Sequence, residues 1–262
     1  MGKWLAADVP EWVSLIVLVA GLPALMLLLE SLVHRRLPHW RSGSHNDAIG
    51  IMLSSAAVVY SVAIGMCVVT LWEKRIDARA STEAEAMNLA ALAEGARVCA
   101  PDVRAAIGAG VLEYNRDVLA NWDVRIGGEK IPAVGADLEA LGDTIGRIVP
   151  ATEAQEAFVY DAVRRLTHAT ELRAEAVRLA HEQQLPNVVW ISVLTGSLVV
   201  LSLCLTCGIG DGMLRRVLVA GVAATIGVNV FLAAELNYPF LGGVRIEPES
   251  YQDVVAHLEQ RG

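Results

Sequence analysis

Few side chains in this sequence are spaced for catalysis. The six histidines, His34, His39, His45, His168, His181 and His257, are dispersed. No H-E-x-x-H, P-loop, G-x-S-x-G or strand-linked G-x-G-x-x-G occurs. Cys204-x-x-Cys207 has the spacing of half a metal or redox site. It lies in an apolar run without a second pair or a nearby histidine, so two small packing residues are expected. Glu30 is a carboxylate within an apolar run, which makes it a functional candidate by default. Four residues from His34, it is placed for a local pair. His34, His39 and His45 cluster with Arg35, Arg36 and Arg41, a combination that suits lipid headgroups, pH sensing or a solvated interfacial loop. No catalytic residue, cofactor or bound metal is expected, and the chain does not read as an enzyme.

The run Ile51–Trp72 carries hydroxyls and no charge: Ser54, Ser55, Tyr60, Ser61 and Thr70. On a helix, Ser54, Val58, Ser61 and Gly65 share one stripe, and Ser55, Val59 and Ala63 the neighbouring one. A face of small, weakly polar residues can line a narrow apolar constriction that gates by dewetting. The same spacing serves ordinary helix packing. The pore-lining candidates are therefore Ser54, Ser55, Val58, Val59, Ser61, Val62 and Ala63.

Composition says where such a helix would sit. The chain has 262 residues, 54% hydrophobic and 19% charged, with a mean hydropathy of +0.45. Soluble domains carry roughly 25% charged residues. A net charge of −8 lacks the basic footprint of a nucleic-acid binder. Four apolar runs, Trp12–Val33, Ile51–Trp72, Asn187–Ile209 and Met213–Ala234, are each close to the ~20 residues a spanning helix needs. Trp12, Trp40, Trp72 and Trp190 flank them as an interfacial belt. The first run lacks a basic leader and a cleavage motif, and reads as a retained anchor with a kink at Pro23. Asn229 is placed to hydrogen-bond across helices, and Ala223/Gly227 to permit close helix approach.

Residues 73–186 form a polar insert with 13 basic and 19 acidic side chains. The second span meets no breaker before Gly95, so one helix is expected to continue through Trp72 into the aqueous domain. Met87, Leu89, Leu92 and Val98 would form its apolar seam, with Glu83, Glu85 and Glu94 between them. Further helices are expected over PDVRAAIGAGVLEYNRDVLANW, over DLEALGDTIGRIV and from Thr152 to Leu185, the last opened by Thr152 and Gln155 in capping-box relation. No strand pattern appears. The expected fold is an all-α membrane protein: a first transmembrane pair (1–72), a helical aqueous domain (73–186), a second pair (187–234) and a C-terminal tail (235–262). Charge bias does not fix sidedness. Arg35, Arg36, Arg41, Arg215 and Arg216 stand on one side, against Lys3, Lys74, Arg75, Arg79, Arg173, Arg178 and Arg245 on the other.

Two stretches carry a family resemblance. SHNDAIGIMLSSAAVVYSVAIGMCVVTLWEKRIDA (44–78) resembles the second-span signature of the bacterial bestrophin-like membrane proteins. LNYPFLGGVRIEPESY (236–251) resembles their post-fourth-span motif. The matching positions are Asn46, Asp47, Trp72, Asn237, Pro239, Phe240, Gly242 and Pro248, with Asn237 in place of the usual acid. The resemblance implies a pentameric anion channel in the bacterial inner membrane, its domain and termini cytoplasmic and its second span lining the pore. Matching at Val68–Trp72 places a hydrophobic neck at Ser55, Val59 and Ala63. Implied partners are further copies of the chain, the lipid bilayer and small anions such as chloride. A second reading is a membrane-anchored helical sensor or scaffold without transport activity.

Overall fold

The structure, a computed structural model, describes residues 10–36, 46–129, 131–182, 184–206, 212–241 and 245–260, apart from the side chains of His34 and Asn46. Among these residues every regular element is helical. The chain divides into two compact units. One runs up to Lys74 and resumes from residue 184 to residue 241, and the other takes Arg75–Glu182 with residues 245 to 260.

The first unit holds the four membrane-length helices. The first span is α1 (Glu11–Ile16), a π-helical turn (Val17–Gly21) and α2 (Leu22–Arg36). Proline offers no N–H, and its ring crowds the carbonyl four residues back. The chain widens into the π turn just before Pro23, which accommodates that missing bond without ending the helix. The second span opens α3 (Asn46–Gly95), a single helix of 50 residues. The third and fourth are α8 (Asn187–Thr206) and α9 (Gly212–Leu236); α4 to α7 fall in the other unit, described below. A core of Met26, Tyr60, Ile64, Leu71, Trp190, Val193, Val200, Val219, Ala223 and Ile226 joins all four spans.

Close approach depends on small residues here. A Cβ on Gly227 would stand 2.2 Å from the Leu18 carbonyl oxygen, so the backbone of α9 packs directly on the π turn. Ala223, one turn earlier, is fully buried. Two expectations are corrected. Trp190 turns into the core rather than to an interface, because it faces the other spans at the entry of α8. Asn229 donates to the Thr225 carbonyl of its own helix at 2.8 Å and does not reach across, because the neighbouring carbonyl satisfies it more locally. Trp40 and Cys207 lie outside the described residues.

The second unit is built on the remainder of α3, with α4 (Pro101–Ala120), α5 (Trp122–Ile126), α6 (Pro132–Gly146), α7 (Glu153–His181) and α10 (Glu249–Glu259). Helix α6 begins five residues earlier than the sequence indicated, with Pro132 at its first position, where a missing N–H costs nothing. Thr152 Oγ1 accepts from Gln155 N at 3.3 Å, while the Gln155 side-chain oxygen accepts from Ala151 N at 2.8 Å, a capping box displaced by one residue. Gly128 takes a φ of +80° and a Cβ there would strike the His181 backbone at 2.7 Å, so only glycine fits that turn.

The buried seam of α3 in this unit includes Ala78, Thr82, Glu85, Leu89 and Leu92 and runs on to Ala96 of the following 3₁₀ turn, with Ala86 buried beside Glu85. Ala86 aside, these alternate at spacings of four and three, a heptad pattern. Met87, expected in the seam, is 66% exposed, and Val98 is exposed too. The tail does not stand apart: α10 belongs to this unit.

Candidate functional site

Tyr60, Ile64 and Leu71 define the core face of the second span, with Leu53, Ala56, Cys67 and Val68 packed against it. At 100° per residue, Ile51, Val58, Val62 and Val69 occupy the opposite arc, and all four are exposed. Val58 and Val59 are 64% and 70% exposed, large values for valines in an apolar helix. All seven candidates, Ser54, Ser55, Val58, Val59, Ser61, Val62 and Ala63, are exposed. The sequence put these seven on neighbouring stripes; nothing in its periodicity showed how their exposed surface divides.

It divides in two. Ser55, Val59 and Ala63 line one wall of a groove of about 510 Å³, together with Cys67. Ser192, Gly196, Val199 and Val200 of α8 line the facing wall. Ser54, Val58, Ser61 and Val62 are not part of it. Below the groove Ser197 and Tyr60 are hydrogen-bonded at 3.0 Å. A Cβ on Gly196 would meet the Tyr60 ring at 3.0 Å, so glycine lets that ring lie against α8.

The serines offer less polarity than their type suggests. Ser54, Ser55 and Ser61 donate to the carbonyls of Gly50, Ile51 and Ala57 at 2.8, 2.9 and 2.7 Å. A hydroxyl has one hydrogen, so each has given its donor to its own helix. What remains outward is methylene and an acceptor oxygen, beside a valine ridge. Chemically this is an apolar face with weak acceptors.

The motif residues separate into two groups. Asp47 sits in the first turn of α3, where a carboxylate complements the helix dipole, and Trp72 is about half exposed. Asn46 opens α3, its side chain outside the described residues, as is Gly242. Asn237, Pro239, Phe240 and Pro248 are buried. Asn237 Oδ1 accepts from Leu185 N at 3.0 Å, and its main-chain oxygen from Gln184 N at 3.2 Å. The segment entering α8 is thereby clipped to the end of α9. Only acceptors are used, so the amide does what a carboxylate would do at this position.

Two buried ionic sites stand out beside these residues. Glu30 pairs with Arg215 of α9; the local pair expected with His34 falls on a side chain outside the described residues. In the second unit Glu85 accepts from both Arg125 and Tyr114, all fully or almost fully buried. Arg125 also lies 5.8 Å from the Trp122 ring centroid and 5.5 Å from that of Tyr251. Burial, then the Glu85 charge, pushes the Tyr114 and Tyr251 phenols well above their usual range. Burial alone would lower the Arg125 pKa, but Tyr251, Glu85 and Tyr114 outweigh it and keep the guanidinium charged. The signal was present in the heptad spacing, which puts Glu85 in the seam.

Residues 20–251 match the Bestrophin-like domain. The chain belongs to the Bestrophin-like family. Several solved structures share its fold. A variant of a bacterial bestrophin homolog from Klebsiella pneumoniae has a TM-score of 0.74 at 14% identity, covering 94% of this chain and 98% of its own. A crystal structure described as a membrane protein gives 0.72 at 14% identity, covering 94% and 97%. The Klebsiella homolog phased on zinc gives 0.70 at 14% identity, covering 91% and 95%. No curated protein matches the sequence. This Bestrophin-like protein is thus an all-α, multi-pass membrane protein, with four helices among the described residues long and apolar enough to cross the bilayer.

Proposed function

We propose that this Bestrophin-like protein assembles into a ring, a homopentamer, that conducts small anions such as chloride through a pore lined by the second span. The observation that carries this reading is the uncharged outer arc of α3, with Val58, Val59 and Val62 left uncovered by the chain's own helices. Four helices of one chain enclose no pore of their own, so conduction requires copies arranged around an axis. With the serine donors turned onto the backbone, the lining would hold water weakly and gate by wetting. The family resemblance supports a site in the bacterial inner membrane with the aqueous domain in the cytoplasm as part of this reading.

Mass and flux test this together. The native mass in detergent, corrected for bound detergent, is expected at five times 28.0 kDa. In proteoliposomes the protein should pass chloride. Val62→Phe or Val58→Phe should reduce flux roughly tenfold or more by narrowing an apolar ring, with assembly unchanged. If Val59→Phe and Ala63→Phe block instead, the groove-side stripe is the lining. A monomer or dimer without flux would leave the sensor or scaffold reading.

A further inference from the structure

The first and fourth spans meet at one membrane end around a single carboxylate. Glu30 is 1% exposed and accepts from Arg215 Nε, while its second oxygen lies 3.9 Å from Arg216 Nε. Arg215 is buried, but the Arg216 side chain is 64% exposed. Both helices count as membrane-length spans, and these residues fall at or just inside the same edge. Arg35 and Arg36 close α2, five and six residues beyond Glu30, or ~8–9 Å further along the axis. Both are exposed and have no carboxylate partner among the described residues. Asp47, at the start of α3, is the other described acid at this end. Among the described residues four guanidiniums therefore stand against two carboxylates, with Glu30 shared closely by Arg215 and loosely by Arg216; Asp211, just before α9, lies outside the described residues. The amino end of α9 adds partial positive charge at the same level.

An uncompensated cation at the edge of the hydrocarbon layer is costly. Arginine relieves that cost by extending to a phosphate, which its planar fork grips through two N–H groups. We infer that this end of the first and fourth spans seats an anionic phospholipid, its phosphate held by Arg216 together with Arg35 or Arg36. The Glu30–Arg215 pair fixes the two helices so that these side chains are presented outward. Free phosphate has the same chemistry, but Arg216 projects from a span surrounded by acyl chains, where the phosphate at hand belongs to a lipid. The inference is independent of ion conduction.

Native mass spectrometry of the full chain, delipidated in mild detergent, tests it with phosphatidylglycerol, phosphatidylcholine and inorganic phosphate as probes. Phosphatidylglycerol should be retained in preference to phosphatidylcholine. Arg216→Gln, and separately the double variant Arg35→Gln/Arg36→Gln, should each erode that preference, by roughly fivefold per arginine. Arg216→Lys should keep most of it. The helix-end double variant leaves the Glu30–Arg215 contact intact, so it reports even if Arg216→Gln fails to fold. Equal retention of the two lipids would overturn the inference. So would a phosphatidylglycerol preference that survives both arginine variants, or inorganic phosphate binding as tightly in an Arg216-dependent way, which marks a soluble-ion site.

Discussion

Asn237 and Glu85 show how a single polar atom is used when water is absent. Asn237 satisfies two backbone N–H groups in the segment entering α8, and only as an acceptor. Asn237→Asp should therefore leave thermal stability almost unchanged, whereas Asn237→Ala orphans Leu185 N and should cost about 1–3 kcal/mol. A melting series of the two variants in one detergent checks this, and equal loss in both would show that the amide hydrogens matter. Glu85 is held by Arg125 and Tyr114 without exposure. Arg125→Met alone leaves a buried carboxylate uncompensated and should cost about 3–5 kcal/mol. Adding Glu85→Gln should return a substantial part of that, the signature of direct coupling. Additive losses would mean that each side chain acts through other contacts.

Elements were the most legible scale in this sequence, because a helix announces itself through its own neighbours. The long α3 was readable from the absence of any breaker before Gly95, and the four spans from length and hydropathy. What could not be read was which face each helix turns inward. Trp190 is amphipathic enough for an interface or a core, and only the surrounding spans decide. The seam of α3 was misassigned at Met87 because hydrophobicity was weighed above spacing, and Glu85 was set on the wrong side of the helix for the same reason. The π turn before Pro23 has a further consequence for α9. Its carbonyl at Leu18 stands where a Cβ on Gly227 would go. Gly227→Ala should lower stability by about 1–3 kcal/mol, and Gly221→Ala, with open space around it, should not. Unfolding of these two variants side by side separates a packing effect from a helix-propensity effect.

Across the whole chain, an even number of crossings returns the polypeptide to its starting side. The helical insert and α10 should therefore share one compartment, which under the proposed function is the cytoplasm. Cys99, half-buried at the end of the 3₁₀ turn Ala96–Val98, reports on it. Burial raises its thiol pKa, so the reactive thiolate grows as pH rises. A membrane-impermeant maleimide should label Cys99 in inverted vesicles, faster at pH 8.5 than at pH 7, and not in intact spheroplasts. Labelling from the outside would reverse the orientation. Sidedness was illegible in the sequence because basic residues flank the spans at both ends. The candidate face of α3 was legible as a surface, but its division by α8 was not, since nothing in residues 51–72 encodes which neighbour arrives.

The heptad seam of α3 carries a consequence for alignment. A helix with only Ala and Leu along its seam can slide seven residues against its partners and bury nearly the same area. Sliding α3 by one heptad would bring Ala78 or Leu92 to Arg125 and carry Glu85 to an apolar position. Every misaligned state then contains two unpaired buried charges, a penalty no gain in packing offsets. Glu85 thus adds little net stability to the right alignment and removes the wrong ones, acting as a key that only one notch accepts.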